Sequence, residues 1–305
     1  MSLDIQKEVS KIAGLIGPED YELASETIPI AVETVTGIEQ RYGPDSASRK
    51  LYHNAPHSLA VPRRAVSLTN LLWRFIPEEY RTDIYDLDIH CGTGHDEEQD
   101  RTLPGENERV SAERMIERVR RADGRLNYEE YMRRLFRGHM ATVVQLEDGK
   151  LVQPNLAQGE PDTIEFIMGF ADRNGIAMEG PLTMLKDGTN LYCERLEETG
   201  GELTIDGLVD FLGSGEMDFL KYGLNDWYMK PLIKYYFGDN GDDVYKVMRT
   251  AYHPNIDAAH RMAEKIAHGT ELTPLIGLAA KGLEVMDSSR LGRNLGKTLI
   301  RKLAS

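Results

Sequence analysis

The ten residues from Tyr52 to Val61, Tyr-His-Asn-Ala-Pro-His-Ser-Leu-Ala-Val, contain two histidines four positions apart. On an α-helix, side chains four positions apart lie on one face, so the spacing predicts that His53 and His57 point to the same side. Proline has no N–H to donate, so Pro56 fits only a first turn, and Pro62 is expected to kink or restart the helix. The stretch therefore predicts a helix that presents imidazole groups to a site.

Further candidate ligands follow along the chain. His95 and Asp96 are adjacent in the segment HCGTGHDEEQD, and Asp172 occurs much later in FIMGFADRNG. Two imidazoles and two carboxylates suit a divalent first-row metal such as Mn, Fe, Co, Ni or Zn, and they suit Mg less well. Together these segments predict a metal site assembled from distant parts of the chain.

The order of these residues resembles the HD-domain superfamily of metal-dependent phosphohydrolases. The opening Tyr-His-Asn-x-x-His is similar to the metal motif of cyclic-nucleotide phosphodiesterases. The resemblance implies that the metal ligands are His57, His95, Asp96 and Asp172. It also implies that Asp96 could bridge to a second ion, and that His53 protonates the leaving oxygen as a general acid.

The same resemblance implies hydrolysis of a phosphate ester. The metal would lower the pKa of a bound water and polarise a phosphoryl oxygen. Asp96 and His53 would take part in catalysis. Four cations flank the motif and are the nearest candidates to bind the phosphoryl group, namely Arg63 and Arg64 after it and Arg49 and Lys50 before it. The predicted substrate is small, either a nucleotide-like phosphomonoester or a phosphodiester.

Two features beside the motif have alternative interpretations. Asn107-Glu108 and Ser111-Ala112 resemble one HD branch, in which Glu108 would steer a metal-bound water. Asn107 and Glu108 also suit a helix cap, with Ser111 adding a local hydrogen bond. The fourth ligand is open as well, because Asp162 and Asp187 are alternatives to Asp172.

The acidic run Glu97-Glu98-Gln99-Asp100 is unusual after the His-Asp pair, where most family members continue with an apolar residue. Either the helix ends at the pair, or the site is wetter and more acidic than normal. His90 and His139 are expected to be structural residues of the core.

The apolar spacing predicts an all-α protein. The resemblance implies that it is built around an HD-domain helical bundle. The predicted divisions are N-terminal helices over residues 1–45, a metal-binding core over 46–200, and a C-terminal helical region over 201–305. A β-branched run near 141–155 with an Asp148-Gly149 turn predicts a short β-hairpin inserted in the core. The N-terminal helices either cover the core or form a homodimer contact.

The composition limits the classes of partner. A net charge of −14 argues against a protein that grips a nucleic-acid polymer, which requires a basic surface. The two cysteines, Cys91 and Cys193, form no metal-binding or disulfide pattern. The sequence contains neither a signal peptide nor an apolar run long enough for a membrane span, so we expect a cytoplasmic protein.

Two other functions stay open from the sequence. A di-iron oxygenase of the HD type needs additional ligands, for which only His90, Glu97 and Glu98 are at hand. A binding or scaffold protein with a degenerate HD fold is the other alternative, favoured by the acidic run and the two prolines. Metal content separates the scaffold from the enzymes, and phosphate release with and without oxygen separates the two enzymes.

Overall fold

The computed structural model describes residues 3–19, 21–147, 150–212 and 226–267. Its α-helices are α1 (Ile5–Ala13), α2 (Thr27–Tyr42), α3 (Ala55–Leu72), α4 (Glu78–Arg81), α5 (Ile84–Gly94), α6 (Glu106–Ala122), α7 (Glu129–Met140), α8 (Thr163–Arg173), α9 (Pro181–Thr199), α10 (Ile205–Asp210), α11 (Asp226–Phe237) and α12 (Gly241–Ala267). Short 3₁₀ turns occupy Trp73–Phe75, Gly175–Met178 and Gly238–Asn240. The chain is mostly helical, which confirms the predicted all-α class.

Two short strands interrupt the helices. β1 (Gln145–Glu147) pairs antiparallel with β2 (Lys150–Val152), and Leu146 lies opposite Leu151. Residues 148 and 149, the turn of the predicted hairpin, lie outside the described residues, so the hairpin stays a prediction. Among the described residues, no helix combines the length and the apolar character needed to cross a bilayer.

The chain divides into two compact units. The first comprises Met1–Arg49, His53–Gly175 and Asp226–Val247, and the second comprises Lys50–Tyr52, Ile176–Asn225 and Met248–Ser305. All four predicted metal ligands belong to the first unit. The predicted domain boundaries at residues 45 and 200 stay a prediction.

Helix α5 is the centre of the first unit. Every residue from Ile84 to Gly94 is buried, and the helix packs against α2, α3, α6, α7 and α8. A helix that has no solvent-facing side must be surrounded by other elements to bury its whole circumference. Residues that directly follow α5, such as His95 and Asp96, therefore lie in the interior of the unit.

Helices α3 and α5 approach each other at a proline and a glycine. A Cβ atom added to Gly92 would lie 2.6 Å from both the Cα and the N of Pro62. Only a residue without a side chain therefore lets the two backbones come this close. The restart expected at Pro62 is wrong, because α3 runs unbroken from Ala55 to Leu72. Burial of α3 against its neighbours stabilises the helix on both sides of the proline.

Helix α5 also buries ionisable groups well away from the predicted ligands. Asp88 is fully buried, and one of its carboxylate oxygens accepts a hydrogen bond from Thr69 Oγ1 at 2.6 Å. Burial raises the pKa of Asp88 to about 8, because the charged carboxylate loses its hydration. The folded protein therefore holds a proton on this side chain near neutral pH.

We expect Gly92→Ala to lower the free energy of unfolding by about 1–3 kcal/mol, because the added methyl group forces α3 and α5 apart. The matched control is Gly37→Ala within α2, where an added Cβ meets no atom within 4 Å. The control should gain about 0.5–1 kcal/mol from the better helix propensity of alanine. Urea denaturation measures both, and equal stability of the two variants would contradict the close approach.

A second prediction concerns Asp88 and pH. The folded state binds the Asp88 proton more tightly than the unfolded state, so stability falls as the pH rises from the ordinary carboxyl value towards 8. The slope reaches about 1 kcal/mol per pH unit. Asp88→Asn cannot titrate and should lose less stability between pH 5 and pH 8 in urea denaturation. The exposed control Asp123→Asn should follow the wild type, and an unchanged slope in Asp88→Asn would refute the prediction.

Candidate metal centre

Three helices bring the predicted ligands together in the first unit. His57 lies in the first two turns of α3, His95 and Asp96 follow the end of α5 at Gly94, and Asp172 lies in the last turn of α8. His57, His95 and Asp96 are buried, and the Asp172 side chain is 15% exposed. These are the side chains that the sequence order singled out, and α3, α5 and α8 pack on one another.

The ligand atoms converge on a small volume. The Nε2 atoms of His57 and His95 are 3.2 Å apart, and Asp96 Oδ2 lies 3.2 Å from the first and 3.0 Å from the second. Asp172 Oδ1 lies 3.4 Å from both Nε2 atoms. Ligands about 2.1 Å from one ion are about 3.0–3.4 Å apart when their bonds meet at right or tetrahedral angles. The spacing therefore fits a shared cation.

The Asp96 carboxylate has a buried oxygen that a cation could bind. Asp96 Oδ2 is buried and makes no hydrogen bond to the described residues, although it faces two imidazole nitrogens. A buried acceptor without a partner is costly, and a divalent ion would satisfy it. His57, His95 and Asp96 thus form a buried group that could hold a metal ion.

A backbone carbonyl orients the His95 imidazole, and a side-chain cap holds the backbone of His57. His95 Nδ1 lies 2.9 Å from the carbonyl oxygen of Gly92, and because a carbonyl only accepts, Nδ1 carries the proton. This tautomer leaves His95 Nε2 as the atom that faces the cluster. On α3, Asn54 is the N-cap, and its side chain accepts from the backbone N–H of His57 at 3.3 Å. The His95 ring is thus oriented by a backbone carbonyl, and the Asn54 cap fixes the backbone of His57 at the beginning of α3.

The charges in the cluster are mutually dependent. Burial alone would raise the pKa of Asp96, but His95 and His53 hold it well below its ordinary value. His57 and His95 lower the pKa of Asp172 in the same way. In return, Asp96 and Asp172 raise the pKa of His95 well above its ordinary value despite burial. The two carboxylates therefore require a positive charge between them, which either a proton on His95 or a metal ion can supply.

His53 does not share a helical face with His57, so that prediction is wrong. Helix α3 begins at Ala55, because Asn54 caps it and Pro56 occupies its first turn, where a missing N–H costs nothing. His53 precedes the helix, yet its ring lies 5.9 Å from the His57 ring, edge to face. The half-buried imidazole is therefore beside the ligands without being one of them.

Glu108 lies in the first turn of α6, and the capping interpretation is wrong for Asn107, whose side chain accepts from Arg101 instead. The N-cap is Gly105, whose φ of 76° suits glycine. Glu108 is half-buried, and burial together with the nearby charges of Asp96 and Asp172 raises its pKa. The carboxyl group therefore feels the cluster electrostatically and is more easily protonated than a surface glutamate.

Asn107 and Ser111 have a different role from a cap. Asn107 Oδ1 accepts from the backbone N–H of Arg101 at 2.9 Å, and Ser111 Oγ accepts from that of Glu98 at 3.0 Å. Both bonds tie the segment after the His-Asp pair to α6.

The acidic run after Asp96 is neutralised by arginines of α6. The helix ends at Gly94, just before the pair, which agrees with the first of the two alternatives. Both oxygens of Glu97 bind the guanidinium of Arg118 at 2.5 and 2.7 Å, and Glu98 binds Arg114 at 2.7 Å. These carboxylates are buried, and the arginines of α6 compensate their charges.

Asp162 and Asp187 are the alternatives to Asp172 as the fourth ligand. Asp162 is the N-cap of α8 and binds Arg134 through both carboxylate oxygens at 2.8 and 3.2 Å. Asp187 lies on α9 in the second unit. Asp172 Oδ1, by contrast, lies 3.4 Å from the Nε2 atoms of both His57 and His95.

The two predicted phosphate-binding arginines differ in exposure. Arg63 is exposed on α3, whereas Arg64 is 1% exposed and its aliphatic stem lies beside Gly175. Their role as phosphate ligands stays a prediction.

His90 and His139 are core residues, as expected. His90 Nδ1 lies 2.7 Å from the Tyr131 hydroxyl, and His139 Nδ1 donates to the carbonyl of Leu135 at 2.9 Å. Burial lowers the pKa of each to about 4. They are neutral near pH 7 and add no charge to the centre.

Comparison of the chain with protein-family models, with curated proteins and with solved structures found no match. The likeness to HD-domain phosphohydrolases therefore rests on the residues named above.

We expect added Mn²⁺, Co²⁺ or Zn²⁺ to raise the melting temperature of the protein. Binding at 100 times the dissociation constant corresponds to about 2.7 kcal/mol of stabilisation. Asp96→Ala should abolish the shift because it removes a ligand and half of the negative charge, whereas His90→Ala within α5 should keep it. Thermal denaturation followed by circular dichroism measures both. An equal shift in Asp96→Ala and wild type would rule out the centre.

Proposed function

We propose that the protein is a metal-dependent phosphohydrolase of the HD type, which hydrolyses a small phosphate ester. The observation that carries the proposal is the convergence of His57, His95, Asp96 and Asp172, which come from three helices in the order typical of HD domains. The proposed fold is accordingly an HD-type helical bundle.

The chemistry of the donor set supports hydrolysis. A divalent ion bound there would make hydroxide available near neutral pH and polarise a phosphoryl oxygen. The cluster lies at the ends of α5 and α8 and at the beginning of α3, so helix termini surround it. The Asp172 side chain retains 15% exposure, and we propose that a substrate reaches the buried ligands from this side.

His53 is the proposed general acid. Its imidazole is half-buried beside His57 and close enough to Asp96 to lower the pKa of that carboxylate. A general acid has to lie beside the centre to carry a proton to the leaving oxygen, and the position of His53 suits that role. A proton on His53 would pass to the leaving oxygen as the phosphorus–oxygen bond breaks.

Glu108 is the proposed partner of the attacking water. Burial and the carboxylates of the centre raise its pKa, which makes the group a stronger base than an exposed glutamate. As a base it would take a proton from the water, and its position in the first turn of α6 holds the carboxylate in place.

The two alternative functions are less well supported. The extra ligands that a di-iron oxygenase needs are already engaged: Glu97 binds Arg118, Glu98 binds Arg114 and His90 contacts Tyr131. Burial of two histidines and an aspartate side by side costs free energy when no ion binds them. A scaffold protein without a metal would bear this cost with no compensating interaction.

Elemental analysis of the purified protein followed by a panel of phosphomonoesters and phosphodiesters with several metals tests the function. We expect copurified or readily bound metal and phosphate release from at least one class. A protein that binds no divalent ion and releases no phosphate would overturn the proposal.

We expect His53→Ala to keep metal affinity but to lower turnover by about 10²–10⁴-fold on substrates with poor leaving groups. The loss should shrink with nitrophenyl phosphates, because nitrophenolate leaves without protonation. Steady-state kinetics on a series of leaving groups measures the effect, with His253→Ala as the histidine control from the second unit. An equal loss across the series would remove His53 from the role.

A further inference from the structure

The two oxygens of Asp96 have different partners. Oδ2 faces the imidazole nitrogens of His57 and His95, whereas Oδ1 accepts a hydrogen bond from the side-chain amide of Gln99 at 2.8 Å. A carboxylate can only accept, so the amide nitrogen of Gln99 must face it. With Oδ1 held in this way, the carboxylate presents a single oxygen to the centre.

Gln99 is itself held from the opposite side. Its backbone N–H donates to the Tyr42 hydroxyl at 2.9 Å, and that hydroxyl donates to Asp100 at 3.2 Å. Tyr42 is the last residue of α2 and is completely buried. The glutamine is therefore attached to a rigid element rather than to a free loop.

The residues between Asp96 and Gln99 are fixed as well. Glu97 and Glu98 bind Arg118 and Arg114, and the guanidinium of Arg114 also donates to the carbonyl of Glu97 at 3.3 Å. These contacts hold the backbone on the N-terminal side of Gln99 against α6. The acidic composition of the segment thus serves to anchor it to α6.

We propose that Gln99 is a positioning residue, which holds the Asp96 carboxylate in the orientation that binds metal through Oδ2. The proposal rests on the proposed metal centre. Hydrogen bonds to the outer atoms of a ligand reduce its freedom before the metal arrives, so less order has to be imposed on binding. Removing such a partner typically weakens metal affinity by about 10–100-fold.

Gln99→Met tests the proposal, because methionine has nearly the same length and cannot donate a hydrogen bond. The matched control is Gln153→Met in the same unit, where the glutamine amide donates to the carbonyls of Ala141 and Gly169 at 3.1 and 2.9 Å. The control loses two hydrogen bonds without touching Asp96. Full-length metal-free proteins are titrated with Co²⁺, whose visible absorption reports coordination, and their metal-free melting temperatures are recorded.

We expect Gln99→Met to bind Co²⁺ about 10–100-fold more weakly than the wild type, with an altered visible spectrum. Gln153→Met should bind with wild-type affinity, although its metal-free melting temperature falls at least as far as that of Gln99→Met. Wild-type affinity and spectrum in Gln99→Met would overturn the proposal while leaving the metal centre intact. Absence of Co²⁺ binding by the wild type would overturn the centre and the proposal together.

Tyr42→Phe is a second variant that tests the same proposal if Gln99→Met does not fold. The substitution retains the buried ring and removes only the hydroxyl that accepts from the Gln99 backbone. It should weaken Co²⁺ binding in the same direction by a smaller factor. Unchanged Co²⁺ affinity in Tyr42→Phe would count against an anchored Gln99.

Discussion

The contact of α3 with α5 at Pro62 and Gly92 is the constraint on which the candidate centre depends. His57 lies near the N-terminus of α3, and His95 lies just after the C-terminus of α5. Their Nε2 atoms are 3.2 Å apart. A slip of a single helical turn, about 5.4 Å, would separate these nitrogens beyond the reach of one ion. The backbone contact therefore determines the ligand geometry.

Charge balance is the second constraint, and it links the ligands to one another. Asp96 and Asp172 are held beside two imidazoles, where hydration is largely lost. A proton on His95 can compensate them, and a divalent ion can replace that proton. Metal binding at this centre would consequently release protons, and its affinity would weaken in acid.

The acidic segment after Asp96 illustrates how position changes the meaning of a charge. In the sequence, Glu97 and Glu98 suggest an exposed or strongly acidic site, in keeping with a net charge of −14. In the fold, Arg118 and Arg114 neutralise them, and both carboxylates are buried. Buried ion pairs contribute little net stability because desolvation opposes them, but breaking one is costly. These pairs therefore fix the position of the segment.

The sequence by itself determined the helical class, because apolar periodicity is a local property. It also indicated which side chains to consider together, because the order of His57, His95-Asp96 and Asp172 can be read along the chain. It did not determine that His53 lies outside α3 or that Gly105 is the N-cap of α6, because helix ends depend on caps and on neighbouring elements.

Only the tertiary structure decided between Asp162 and Asp172, because Arg134, 28 residues before Asp162, engages that carboxylate. It alone revealed Gln99, whose spacing of three from Asp96 becomes a hydrogen bond only when Tyr42 and the arginines of α6 shape the segment. Contacts between residues far apart in the chain arise from packing, and packing has no signature in a local stretch of sequence.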